Sequence, residues 1–341
     1  MARFERVELD ARGWYETLST FEDRIVFQTP AWMSFVAETQ DAEPVLAALR
    51  EGSEVLGYFT GLIVRRFGLK ILGSPFRGWS TPYMGFALRP SVSRRVAVHA
   101  LTEFAFRQLG CAHLEVTDMH MGSTDIAGLG VAHMMHPTME VDLTQSEETL
   151  FMKMDSGCRR NIRKAERSGV VIEEAQDMDF AEDFAAQFRD VFDKQGMVPP
   201  FSAERVRALI RHVHPTGMVL MLRARDADGR CLATGIFPAW NETAVFCSGA
   251  SWRQYQHLRP NELLHWYAMR YWKRRGIRIY NMVSIMRFKR KFGGYQTAVP
   301  MIYQSKYPLL SRLRPSALPM VRMVLHVGWR LKNLVGPRPL A

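Results

Sequence analysis

The spacing of apolar and polar residues in the second half of the chain predicts an ordered series of strands and helices. Short apolar runs rich in Val, Ile and Leu are typical of strands, whereas apolar residues that recur every three or four positions are typical of amphipathic helices. The predicted order is β-α-α-β-β-β-α-β. Its segments are a strand at 170–175, helices at 180–196 and 202–213, strands at 218–225, 231–240 and 243–251, a helix that Pro260 opens and Gly276 ends, and a strand at 277–283.

The first half of the chain repeats this order. Its segments are a strand at 4–9, helices around 11–21 and 30–39, a hairpin at 45–66, a strand at 68–72, a helix at 93–109 and a strand at 113–117. The turn glycines Gly52 and Gly229 lie 177 positions apart, and the helix-ending Gly110 and Gly276 lie 166 apart. An inserted loop at 73–86 accounts for most of the difference. The repeat predicts two tandem copies of one α/β unit.

Composition supports a folded chain. With 47% hydrophobic and 23% charged residues, the 341-residue chain can bury cores and lacks the composition of a disordered protein. Four cysteines at least 16 positions apart form no CxxC pair and no disulfide framework. Neither a secretory signal nor an apolar stretch long enough to span a bilayer is visible, which predicts a cytoplasmic protein. We expect domains at 1–145 and 146–307, followed by a basic amphipathic tail at 308–341.

Positive charge is concentrated in two segments. Lys and Arg together exceed Asp and Glu by 11. Residues 305–341 hold seven basic residues and no acidic one, and the run 159–167 holds five basic residues. Such clusters favour a phosphate-bearing or otherwise anionic partner, although a solvated helix face is the alternative for the central run.

Three stretches resemble one known family. They are MDSGCRRNIRKAERSGVVIE at 154–173, RPNELLHWYAMRYWKRRGIRIYNM at 259–282, and RFKRKFGGY at 287–295, the last followed by a predicted final strand. Together with the repeat, these motifs resemble the FemAB-like family, including the BioF2-like acetyltransferase domain group. The resemblance implies an α/β fold of two tandem lobes like GCN5-related acetyltransferases, each a mixed sheet flanked by helices, with a degenerate first lobe and a donor-binding second lobe.

The resemblance also implies the chemistry. Relatives transfer an acyl or aminoacyl group to an amine, with donors that range from acyl-CoA to charged tRNA. The long charged coiled-coil arm common in tRNA-using relatives is not visible here, so we expect acyl-CoA as co-substrate, no permanently bound cofactor, and tRNA only as an alternative donor. The expected acceptor is an amine of a cell-envelope sugar, a peptidoglycan precursor or a lipid.

Two other classes of function stay open. One is a non-catalytic protein that binds an anionic glycan or lipid. The other is a nucleic-acid-binding protein, although no recognised DNA- or RNA-binding motif supports it and DNA is not an expected partner.

The donor site is predicted in the second lobe. The usual acyl-CoA signature fits Arg107, Gly110 and Ala112, but these residues lie at the C-terminal end of a helix, where carbonyl groups would repel a pyrophosphate. The loop before the helix at Asn261 has no glycine. The residues predicted to hold an anionic donor beside that helix N-terminus are Ser248, Arg253, Gln256, His257 and Asn261; a polar surface loop is the alternative.

The sequence also offers candidate residues for the reaction and for the acceptor. His265 and Asn281 are the catalytic candidates, although a packing role is the alternative for His265 and relatives often carry Asp where this chain has Asn281. The residues predicted to bind the substrate are Arg160, Arg163, Lys164, Tyr280, Lys289 and Lys291, the five cations converging on one cleft between the lobes to hold phosphates.

Two histidine patterns carry little weight. His113 and Asp118 fit the H-x4-D pattern of glycerolipid acyltransferases but would point to opposite faces of a strand. His133 and His136 lack further ligands, so no metal site is expected.

The tail completes the predictions. Residues 320–336 can form a helix with a narrow basic face and an apolar remainder that includes Trp329. Such a helix suits the anionic inner face of the cytoplasmic membrane, where it would bring the cleft to a lipid-linked acceptor. A helix docked on the protein's own core is the alternative.

Overall fold

The strands assemble into one large mixed sheet. The computed structural model describes residues 1–66, 68–76, 79–193 and 201–307. The described strands are β1 (Arg3–Arg6), β2 (Glu43–Glu51), β3 (Glu54–Arg66), β4 (Leu69–Ser74), β5 (Gly85–Leu88), β6 (His113–Thr117), β7 (Ala132–Asp142), β8 (Val171–Glu174), β9 (Val219–Arg225), β10 (Cys231–Trp240), β11 (Thr243–Val245), β12 (Ser248–Ser251), β13 (Ile279–Asn281) and β14 (Tyr295–Ser305).

Helices cover both faces of this sheet. The described α-helices are α1 (Ala11–Ser19), α2 (Pro30–Gln40), α3 (Arg94–Glu103), α4 (Ser123–Ile126), α5 (Glu147–Lys153), α6 (Ser156–Arg167), α7 (Phe180–Asp193), α8 (Ala203–His212), α9 (Pro260–Arg274) and α10 (Arg287–Arg290). Several begin at a side-chain cap, as when Ser202 Oγ accepts the Arg205 N–H at the start of α8. Among the described helices, none is long and apolar enough to cross a membrane.

The order of the strands confirms the predicted fold class. It runs β1-β2-β3-β4-β6-β14-β7-β13-β11-β10-β9-β8, with β5 beside β3 and β12 beside β10. Apart from β14 and β7 at the centre, strands of the first half occupy one side of the sheet and strands of the second half the other. Each side has one parallel pair, β4 with β6 and β11 with β13, as expected for two copies of one unit.

The two copies exchange strands at the centre of the sheet. The last described strand, β14, lies between β6 and β7, and pairs with β7 from Tyr295↔Glu140 to Tyr303↔Ala132. In turn β7 pairs with β13 of the second copy. With a boundary after residue 145, β7 belongs to the first copy but pairs with β13 of the second. Likewise β14 belongs to the second copy but pairs with β6 of the first. The predicted division into two domains stays a prediction.

Among the strands, three differences from the prediction stand out. The run 243–251, predicted as one strand, breaks after Val245 into β11 and β12. Neither β5 nor β7 was predicted. The break matters for function because it occurs where β11 stops pairing with β13.

Buried apolar clusters form a core within each copy and also hold the two copies together. One buried cluster fills the first copy, a second fills the space between the sheet and α9, and a third brings α2 of the first copy against α7 and α8 of the second. The predicted membrane-binding helix at 320–336 lies outside the described residues.

Candidate functional site

Two neighbouring strands separate in the second copy. The parallel pairing of β11 with β13 extends to Val245↔Asn281, and the Phe246 N–H still donates to the Asn281 carbonyl at 2.8 Å. The next N–H, of Cys247, donates instead to Ile236 of β10 at 3.1 Å, and β12 continues along β10. The edge of β12 that faces β13 is thus not paired with any described strand. This separation is where the resemblance places the donor.

Beneath the separation, His265 and Tyr280 lie inside an aromatic cluster. His265 Nδ1 is 2.7 Å from the Tyr280 hydroxyl, and Phe246 and Phe292 lie within 5.0 Å of the imidazole, centroid to centroid. His265 is 3% exposed and Tyr280 fully buried. Burial, with Lys289 and Lys291 nearby, holds the pKa of His265 well below its usual value. This environment favours a packing role for His265 and argues against the predicted substrate contact of Tyr280.

Lys289 points into the same interior. Its ammonium group donates to the Met282 carbonyl and lies 5.1 Å from the centre of the Phe246 ring. Burial lowers the pKa of Lys289 to about 8. Lys289 therefore ties the segment after β13 to α10 and is not part of an exposed phosphate-binding cluster.

The two predicted basic segments do adjoin each other. The Lys291 carbonyl accepts the Asp155 N–H at 2.9 Å, and the Lys291 ammonium bonds the buried Glu262 carboxylate at 2.6 Å. Asn161 of α6 donates to the same carboxylate at 2.8 Å. Arg160, Arg163 and Lys164 are exposed. The five predicted cations therefore lie in three environments, with Lys289 buried, Lys291 in an ion pair and the α6 cations at the surface, and they do not form one cluster of contacts.

On the other face of β13, Asn281 organises a buried polar cluster between the copies. Its side-chain oxygen accepts from the Val283 N–H at 2.8 Å, the Thr138 hydroxyl at 3.0 Å and the Tyr83 hydroxyl at 3.3 Å. Tyr83 comes from the inserted loop of the first copy, and burial raises its pKa to about 12. Because a backbone N–H can only donate, these contacts fix the orientation of the Asn281 amide.

That orientation points the amide nitrogen at a carboxylate that the sequence did not reveal. Asn281 Nδ2 donates to Glu140 Oε1 at 2.8 Å, and Glu140 lies opposite both Asn281 of β13 and Tyr295 of β14. Glu140 is half-buried, and the Tyr295 hydroxyl also bonds to it. A carboxylate therefore stands one hydrogen bond from the position where relatives often carry Asp. Since β7 was not predicted, no sequence signal pointed to Glu140.

The predicted donor-binding residues surround the start of α9. Ser248 is buried on β12, and Asn261 donates to the Ser251 hydroxyl at 3.0 Å. Arg253, Gln256 and His257 are exposed on the 3₁₀ turn Arg253–Leu258, and α9 has no side-chain cap at its N-terminus. The uncapped N–H groups suit an anion. These assignments stay predictions.

In the first copy an ion cluster closes the equivalent separation. Asp118 Oδ2 accepts the Phe86 N–H of β5 at 2.7 Å, and its other oxygen bonds Arg94 Nε at 2.9 Å. Arg94 also pairs with Asp23 at 2.5 Å. A Cβ atom at Gly85 would lie 2.4 Å from the Asp118 carboxylate. Asp118 thus serves as a bridge between strands.

Neither histidine pattern brings its two residues together in the described structure. His113 Nδ1 contacts the Ser305 hydroxyl of β14 at 2.6 Å, whereas Asp118 is held by Phe86 and Arg94. His133 and His136 lie three apart on β7 and so face opposite sides of the sheet. Within the described ranges, no three metal-ligating side chains form a group.

Comparison with known proteins agrees with this geometry. Residues 152–290 match the model of the acetyltransferase (GNAT) domain family. The fold is similar to FemX, with a TM-score of 0.72 at 12% identity over 91% of this chain and 99% of that one. A tandem GNAT protein from the clavulanic acid biosynthesis pathway gives 0.54 at 12% identity, covering 90% and 99%.

A third similar structure is the C-terminal domain of a putative lysylphosphatidylglycerol synthetase from Agrobacterium fabrum, with a TM-score of 0.56 at 11% identity over 85% and 90% of the two chains. No curated protein sequence matches. The resemblance drawn from the sequence is confirmed: residues 152–290 match the acetyltransferase (GNAT) domain model, and the fold of the chain is similar to those of FemX and a tandem GNAT protein.

Proposed function

We propose that the protein transfers an acyl group from acyl-CoA to an amine of a cell-envelope sugar, a peptidoglycan precursor or a lipid. One observation carries the proposal: β12 separates from β13 beside the hydrogen-bonded pair Glu140 and Asn281. The separation offers unpaired backbone for a donor, and the pair offers a proton acceptor on the face where the two copies meet. Similarity to FemX and to a lysylphosphatidylglycerol synthetase domain supports an envelope acceptor.

The reaction requires a neutral amine and an acceptor for its proton. The amine nitrogen attacks the thioester carbonyl, the C–N bond forms, the C–S bond breaks, and the CoA thiolate leaves. We assign Glu140 as the group that takes the amine proton, because a positioned carboxylate can do so within hydrogen-bonding distance. Asn281 positions Glu140, and Tyr83 and Thr138 position Asn281.

In this proposal the body of the donor lies on the other side of the same strands, and its thioester reaches the face of Glu140 through the separation between β12 and β13. Backbone N–H groups on the open edge of β12 would hold the acyl carbonyl, and the N-terminus of α9 would hold the pyrophosphate. Lys289 keeps the segment after β13 in place through its bond to Met282. Ser248, Arg253, Gln256, His257 and Asn261 line this path.

Glu140→Gln tests the assignment. The amide keeps the size of the side chain but cannot accept a proton, so we expect the turnover rate to fall about 100-fold with little change in donor binding. The measurement is thiol release from a panel of acyl-CoA donors, with envelope extract as acceptor. Exposed Glu148 of α5 provides the matched control, Glu148→Gln, which should retain the rate. Equal rates in the two variants would exclude Glu140 as the base.

A non-catalytic binding protein is the second candidate. Phe246 and Lys289 pack together at the separation, as they would in a protein whose path for the donor is closed. It predicts no thiol release from any acyl-CoA while the protein still binds an envelope glycan or lipid. Because aminoacyl-tRNA is an oxygen ester and releases no thiol, this alternative donor is tested with tRNA charged with a labelled amino acid, by transfer of the label to the envelope extract. Product formed only with charged tRNA would replace acyl-CoA in the proposal.

A further inference from the structure

The outward side of α6 is strongly cationic. Cys158, Ile162 and Ala165 recur every three or four residues and are buried, so they define the inward side of the helix. The other positions hold all five cations of the helix: Arg159, Arg160, Arg163, Lys164 and Arg167. Glu166, at the margin of that side, is the single acidic residue within α6.

Two neighbouring segments extend this surface. Arg159 donates to the Met152 carbonyl at the end of α5 at 2.8 Å, and the Asp155 N–H bonds the Lys291 carbonyl just after α10. A Cβ atom at Gly293 would lie 2.6 Å from the Lys153 backbone, so the two segments run side by side. Together, α6 with Lys153, Arg287 and Arg290 forms what we call the basic face.

Two large apolar side chains project from the basic face. Met152 is 58% exposed and Met286 is 66% exposed. Both stand next to cations, Lys153 and Arg287. Exposed apolar side chains within a cationic surface are typical of proteins that enter the interface of an anionic bilayer.

The charge of the basic face is not neutralised within the part of the chain that the structure describes. Its exposed cations form no ion pair with a described residue, and residues 282–294 contain no acidic side chain. By contrast, Arg270 and Arg274 on α9 both pair with Glu147. The unneutralised cations are therefore available to an anionic partner from outside the chain.

We propose that the basic face binds the surface of an anionic lipid bilayer, with Met152 and Met286 inserted below the headgroups. The cations would contact lipid phosphates, and the methionines would lose contact with water. A soluble phosphate or an RNA would use the cations but would leave both methionines exposed. The proposal does not depend on the transfer reaction, and it concerns residues other than those of the tail.

Cosedimentation of the full chain with phosphatidylglycerol vesicles tests the charges. The variant R160E/R163E/K164E should bind more than about tenfold more weakly than the unchanged chain. Its matched control, R66E/R95E/R189E, reverses three exposed cations on other elements and should bind more tightly than the first variant. Equal loss in the two variants would show a general charge effect and overturn the proposal.

A fluorescent label at position 286 tests whether Met286 inserts into the bilayer. Met286→Cys can be labelled selectively with an environment-sensitive fluorophore, because burial raises the pKa of the native thiols, to about 11 for Cys111 and about 12 for Cys158, Cys231 and Cys247. We expect a blue shift with phosphatidylglycerol vesicles, and quenching by lipids spin-labelled near the headgroup. The control, Met178→Cys, should show neither. Binding without a shift at position 286 would mean that the tail or charge alone binds the vesicles, and would overturn the proposal.

Discussion

Lys289 carries an ammonium group into a largely apolar interior, and this makes its protonation depend on folding. Burial lowers its pKa to about 8, whereas an unfolded chain would hold it near the ordinary 10.5. Between these values the unfolded chain binds more protons, so the stability of the native protein rises with pH. Below pH 8 both states are protonated and the cost of burying the charge is present in full.

The variant Lys289→Met removes this dependence. We expect the unfolding free energy of the natural chain, measured relative to the variant, to rise by up to about 3 kcal/mol between pH 8 and pH 10.5. Urea unfolding at a series of pH values measures it. Lys164→Met, which removes an exposed lysine, is the matched control. A flat difference for Lys289→Met would show that its ammonium group is not desolvated.

Glu140 is an example of a site residue that could not be predicted from the sequence. The sequence alone identifies the motif that contains Asn281, and it shows that relatives often carry Asp at this position. The carboxylate that bonds Asn281, Glu140, lies 141 positions earlier on a strand that contains Pro137 and has no regular alternation of apolar and polar residues. His265 was found too, but its spacing alone could not distinguish a base from a core residue.

At the scale of elements, Arg94 at the start of α3 holds together parts of the first copy that backbone pairing does not join. It bonds Asp23 after α1 and Asp118 after β6, and Asp118 in turn accepts from β5. Asp118 is fully buried, so it depends on Arg94 for its charge balance. The cluster bridges in the first copy the separation that stays unbridged between β12 and β13 of the second copy.

Arg94→Met should therefore destabilise the protein by about 3 kcal/mol, because it leaves buried carboxylates without their cation. Thermal or urea unfolding measures the loss. Its neighbour Arg95 is exposed on the same helix, and Arg95→Met should change stability by no more than about 0.5 kcal/mol. Similar losses in the two variants would mean that the bridge contributes little.

Most helices and outer strands were predictable because their apolar periodicity is local. The break at Phe246 and Cys247 was not, since the run 243–251 is uniformly strand-like and only its neighbours decide where it bends. The short strand β5 was missed for a related reason, because it follows an irregular inserted loop.

For the whole molecule, the exchange of β7 and β14 makes each copy depend on the other. We expect fragments 1–145 and 146–341, expressed separately, to be insoluble or unfolded, because β6 and β13 would each lack their central neighbour. Coexpressed, they should copurify as a folded complex. Circular dichroism and gel filtration of each fragment provide the measurement. A cooperatively folded 1–145 fragment would contradict the expectation.

The repeated order of elements was sufficient to predict two copies and the fold class. The repeated order could not predict that β7 and β14 exchange places. Either copy can supply the strand beside β6, and the pattern of apolar and polar residues within each strand is the same in both cases. Pairing between residues 113–117 and 301–305 is set by the three-dimensional arrangement alone.

The position of β14 also affects how the protein is made. During synthesis, β6 and β7 emerge from the ribosome long before the strand that fills the space between them. Until residues 295–305 have been translated, both strands present unpaired backbone at what will become the middle of the sheet, and such edges can pair with other chains. We expect the nascent chain to be most prone to aggregation and most dependent on chaperones in this interval, and a stall in translation just before β14 to be more damaging than one after it.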